Sequence, residues 1–105
     1  MKLIDRFLKY VQYDTQSDSN SENYPSTEKQ WVLLNDLVKE LKSLDIETTI
    51  DEYGYIIGRI PSNIEKKVPS LALIAHVDTS PDASGKDVKP TIIKKSNAIG
   101  VKASI

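Results

Sequence analysis

The sequence predicts an α/β fold: two N-terminal helices packed on a mixed or parallel sheet, with a β-hairpin beside it. Three patterns predict it. Two segments near the N-terminus repeat their apolar residues at helical spacing, two short β-rich runs flank a glycine turn, and the run Leu71-Ala-Leu-Ile-Ala75 is apolar at every position.

The first helix is read over Lys2 to about Gln12. Leu3, Ile4, Phe7, Leu8 and Val11 share one face of a helix there. From Asp14 to Pro25, short polar side chains compete for backbone hydrogen bonds, which predicts a long exposed loop. Thr27 and Gln30 then stand in capping-box spacing just after Pro25, so a second helix is expected to start there. Its stripe is Trp31, Leu34, Leu37, Val38, Leu41 and Leu44, with Lys39, Glu40 and Lys42 turned outward. Trp31 on that stripe reads as core.

Glu47 to Ile50 and Tyr55 to Ile60 read as the two arms of a hairpin, with Gly54 supplying the permissive backbone of the turn. After the loop from Pro61 to Pro69, Leu71 to Ala75 reads as a strand covered on both faces, ending at His76. Thr91 to Ile93 offers another strand. Ser96 to Ile105 shows neither a clear period nor a finished element.

The 105 residues carry 14 basic and 15 acidic side chains, a net charge of −1. This balance withholds the phosphate affinity of a basic face, so no nucleic-acid partner is expected. No apolar run approaches the roughly 20 residues that span a bilayer. Charge at Lys2, Asp5 and Arg6 interrupts the N-terminus too early for a signal peptide, so no membrane partner is expected either. Cysteine is absent, which excludes disulfides, thiolate nucleophiles and cysteine metal sites and fits a reducing compartment; the expected location is cytoplasmic. At 39% hydrophobic residues the chain can build a core, but a domain this long buries only about two-thirds of its unfolded surface, so a missing neighbour would be felt.

Chemistry concentrates in His76-Val-Asp-Thr-Ser-Pro-Asp82, directly after the apolar run, where open α/β sheets bind their ligands. A histidine can bind a metal through one ring nitrogen while a nearby carboxylate fixes its orientation and tautomer. Taken alone, His76 followed by Asp78 is a weak motif, and a solvated loop histidine with a loop-capping aspartate explains it as well. Thr79, Ser80, Pro81 and Asp82 shape a turn.

Ala75 to Asp82, followed by Ser84-Gly-Lys86, resembles the first metal-site motif of the peptidase T family, zinc-dependent tripeptide aminopeptidases. The resemblance takes in Arg6-Phe-Leu-Lys-Tyr-Val11, Asp14-Thr-Gln-Ser17, Pro25-Ser-Thr-Glu28, Gln30-Trp31 and Val68-Pro69, in family order and spacing. It implies that residues 1–93 are the N-terminal part of a catalytic domain, with residues 94–105 a divergent tail of no assignable structure. It also implies that His76 is the first zinc ligand and Asp78 the supporting carboxylate of the catalytic site. Two zinc ions and a tripeptide substrate are expected in the full-length family, with at most a partial site here. A metal-bridging aspartate, a glutamate general base, further carboxylates and a late histidine would lie beyond this chain, so the chain by itself is expected to be inactive. Asp51, Glu52, Asp82 and Asp87 receive no metal role. The tail's departure suggests a truncation with an altered reading or a remnant gene.

Two other functions compete. A folded remnant with an uncovered helix stripe and strand edges would self-associate through its core surfaces. Leu73 to Ser80 also faintly resembles the Asp-Thr-Gly loop of dimeric aspartic proteases, but Pro81, the missing glycine and the two opening helices oppose that reading.

Overall fold

The computed structural model describes residues 1–95 and 98–104, with side chains as far as residue 93. Its elements are α1 (Leu3–Tyr10), α2 (Gln30–Ser43), β1 (Glu47–Ile50), β2 (Ile56–Arg59), β3 (Lys89–Lys95) and β4 (Ala98–Ser104). The architecture is that of a partial α/β domain, with strands paired as β1–β2 and β3–β4, both antiparallel. Parallel pairing among the described residues is confined to an isolated bridge between Gln16 and Thr79.

Both predicted helices form, and both are shorter than their patterns. None of the residues of α1 is buried, and it is held to α2 by polar contacts: the Arg6 guanidinium and the Tyr10 hydroxyl both donate to the Glu40 carboxylate, and just past the helix the Tyr13 hydroxyl donates to Asp36. The α2 helix begins at Gln30 rather than Thr27, and no side chain caps it. Thr27 and Gln30 do touch, but the Gln30 amide donates to the Thr27 hydroxyl at 3.0 Å, a side-chain pair instead of a capping box. Leu33 and Leu34 are the buried apolar residues among those described, at 6% and 3% exposure, while Leu44 at the end of the expected stripe is exposed and Trp31 is half-buried.

The C-terminus of α2 closes as a Schellman motif. Ile46 N–H donates to Leu41 C=O and Asp45 N–H to Lys42 C=O, each at 3.1 Å, with Asp45 at φ 58°. The chain then enters β1, whose register against β2 runs from Glu47 opposite Arg59 to Ile50 opposite Ile56. The hairpin forms as its pattern predicts. Asp51 Oδ1 accepts from the N–H groups of Tyr53 and Tyr55 at 3.0 and 2.8 Å, and Gly54 turns the chain at φ 84°. A Cβ at Gly54 would lie 2.9 Å from Leu34 Cδ1 and 3.1 Å from Pro25 Cγ, so the turn is packed against the helix core and the loop before it.

One strand expectation is corrected. Leu71 to Ala75 forms no strand, and Leu71, Leu73 and Ile74 are 86%, 91% and 95% exposed. An apolar run becomes a covered strand only when neighbours flank it, and no described strand does. Residues 94–105, expected to form no element, contribute β4, which pairs with β3 from Lys89 opposite Ser104 to Lys95 opposite Ala98. Residues 96, 97 and 105 of that tail lie outside the described ones.

The radius of gyration is 16.8 Å, where a compact chain of this length has about 13 Å. The accessible surface is 8897 Å², against about 5,900 Å² for a folded monomer of this size. Both measures describe a domain whose layers are not closed.

Candidate functional site

The loop from His76 to Lys86 gets its shape from partners far away in sequence. Thr79 N–H donates to Thr15 C=O at 3.0 Å, and Ser17 N–H and Ser17 Oγ both donate to Thr79 C=O at 2.9 Å. The Gln16 side-chain amide donates to Pro81 C=O and Ala83 C=O, each at 3.0 Å. Within the loop, the Ser80 hydroxyl donates to Asp82 and accepts from the Asp82 N–H, so the turn expected from Thr79 to Asp82 is present.

Buried Gly85 closes this arrangement. A Cβ there would lie 3.3 Å from both Asp14 Oδ1 and Thr79 Oγ1, a tighter fit than most side chains accept. Asp14 in turn forms an ion pair with Lys29 at 2.9 Å, and the Lys29 ammonium holds its carboxyl below the usual carboxylate range.

His76 and Asp78, the two predicted site residues, do come together. His76 Nδ1 lies 2.8 Å from Asp78 Oδ1. A carboxylate can only accept, so the ring donates from Nδ1, and Nε2 becomes the nitrogen with a lone pair to offer whenever the ring is neutral. The hydrogen bond to Asp78, reinforced by its charge, raises the ring pKa above 6.5. The His76 side chain is 84% exposed and that of Asp78 43%, so the ring faces open space.

A carboxylate at Nδ1 orients the ring and leaves Nε2 able to serve as one ligand atom. A catalytic zinc takes about three protein ligands. No group of three His, Asp or Glu side chains gathers among the described residues. His76 and Asp78 therefore fit one ligand position of such a site and do not fit a complete one. Asp51 and Asp82 are engaged in their own turns.

Residues 14–17, whose polar composition predicts only an exposed loop, brace the His76 to Lys86 loop instead. Buried Thr15 and the contacts from Gln16 reach across 65 and 67 positions, and no local period encodes them. The available signal was the shared presence of Asp14 to Ser17 and Ser84-Gly-Lys86 in the same resemblance.

No family model matches the chain. It is 51% identical over 106 residues to peptidase T of Macrococcus caseolyticus, covering 99% of this chain and 26% of that protein. Peptidase T of Aliivibrio fischeri is 54% identical over 92 residues, 87% of this chain and 22% of the relative. That of Caldanaerobacter subterraneus subsp. tengcongensis is 52% identical over 94 residues, 89% and 23% respectively. The chain thus spans about a quarter of the length of the curated relatives it matches. The Macrococcus similarity extends over nearly all of residues 94–105 as well.

Proposed function

We propose, on the premise that this chain belongs with the peptidase T sequences, that it is part of a zinc-dependent aminopeptidase that releases the N-terminal residue of tripeptides. In this reading His76 is a metal ligand through Nε2, and Asp78 holds the ring by Nδ1. The supporting observation is the 2.8 Å contact between them, at the start of a loop braced from outside, in a chain about half identical to its relatives. The remaining ligands and the general base would come from the larger share of such a protein, which works in the cytoplasm. The 105-residue chain alone, with one such histidine, is inactive toward tripeptides.

Exchanging the chain for the matching quarter of the Macrococcus caseolyticus relative tests this. The chimera should hydrolyse a tripeptide, and His76→Ala should abolish the activity. Asp78→Ala should lower it about 10- to 100-fold, the usual effect of losing an orienting carboxylate. A His76→Ala chimera as active as its parent would contradict the proposal.

A second reading is favoured by one observation, the nearly full exposure of Leu71, Leu73 and Ile74. Apolar side chains left open in series drive association, so the isolated chain self-associates. Sedimentation of a monodisperse monomer would contradict that.

A further inference from the structure

We propose that Gln16 is a positioning residue: its side-chain amide holds the turn after Asp78 so that the Asp78 carboxylate keeps the His76 ring in its Nδ1–H tautomer. The inference rests on the reading of His76 and Asp78 given above. Four observations carry it.

First, the run before His76 forms no ladder, so the position of Asp78 is inherited from the chain that follows it. Second, that chain is held from outside, at Thr79 by Thr15 and Ser17 and at Pro81 and Ala83 by the two donors of the Gln16 amide. Third, Gln16 is itself anchored, because its backbone C=O accepts the Thr27 hydroxyl at 2.8 Å and Thr27 accepts from the amide of buried Gln30 at 3.0 Å. The loop is thereby tied to the first turn of α2. Fourth, both carbonyls that Gln16 serves are acceptors, so a residue there must donate twice. Glutamine does so through the two N–H groups of Nε2, whereas glutamate of the same shape would set a carboxylate oxygen against both carbonyl oxygens.

The consequence is chemical. Fixing Nδ1–H leaves the Nε2 lone pair directed outward, the state required of a ligand. The contact of Asp78 with the ring is direct, and Gln16 acts through the turn.

The test is nitrogen-15 NMR of the 105-residue chain without metal, at a pH above the ring's titration, for wild type, Gln16→Glu and Gln16→Ala. Wild type is expected to show the Nδ1–H tautomer at His76. Both variants are expected to lose it and to exchange the Thr79 amide about tenfold faster, while the amides of Leu37 and Val38 in α2 keep their rates. Retention of the tautomer and of Thr79 protection in Gln16→Glu would overturn the proposal. Loss of α2 protection in either variant would overturn it too, since Gln16 would then support the fold generally. No metal or peptide enters this readout. An inactive chimera would therefore remove the zinc reading without touching it, and a failed tautomer result would remove the role of Gln16 while leaving the zinc reading in place.

Discussion

His76 and Asp78 are separated by one residue, and that spacing lets a carboxylate reach the near ring nitrogen while the far one points away. The pairing has a measurable cost to deprotonation. Because Asp78 stabilises the charged ring, the His76 pKa lies above 6.5. Asp78→Asn removes the charge and leaves only a neutral acceptor, so the pKa should fall back toward 6.5, read from the ring proton shifts across pH. An unchanged titration would mean that the ring does not rest on Asp78. The sequence made this pair legible through its resemblance. Gln16, which spans more than sixty residues to reach its acceptors, was not legible, since one sequence records order along the chain and not contact across it.

At the scale of elements, two backbone positions with positive φ give opposite expectations. Asp45 occupies the left-handed position of the Schellman motif at φ 58°, which costs a non-glycine residue about 1–2 kcal/mol. Asp45→Gly should therefore stabilise the α2–β1 junction by about 1 kcal/mol, seen as a higher urea midpoint. Gly54 at φ 84° has Leu34 Cδ1 2.9 Å from where a Cβ would stand. Gly54→Ala adds steric strain to the same backbone penalty and should destabilise by about 2 kcal/mol or more. Equal midpoints for the two variants would show that the hairpin turn is not seated on Leu34. The hairpin was readable because Gly54 and the alternating runs beside it are local signals. The run from Leu71 to Ala75 misled for the converse reason: composition says that such a segment wants cover on both faces, and cover is a property of the neighbours.

Over the whole molecule, polar contacts do much of the joining that apolar burial does in a closed domain. Hydrogen bonds from Tyr10 and Arg6 hold the Glu40 carboxyl below its ordinary value. Tyr13 and Lys39 do the same for Asp36, and Lys29 for Asp14. Carboxyls whose pKa is lower in the fold than in the unfolded chain stabilise above the unfolded value, and that contribution is lost as the pH falls through the folded one. Tyr10 and Tyr13 behave oppositely. Burial and the Glu40 carboxylate push Tyr10 up to about 12, and Asp36 with burial does so for Tyr13, so their contribution is complete below pH 10 and lost on the way to about 12. The attachment of α1 to α2 should be firmest between the carboxylate range and pH 10, and circular dichroism melts across pH should show helix lost at both ends. A melting temperature flat from pH 3 to pH 11 would contradict this.

The large exposed surface goes with layers that are not closed, in a chain that spans about a quarter of the length of its relatives. The most direct measurement is the zinc content of the chimera described above, with His76 and with His76→Ala. The parent should retain bound zinc through dialysis, and His76→Ala should lose at least one equivalent of it. Equal zinc in the two proteins would contradict the assignment of His76 as a ligand.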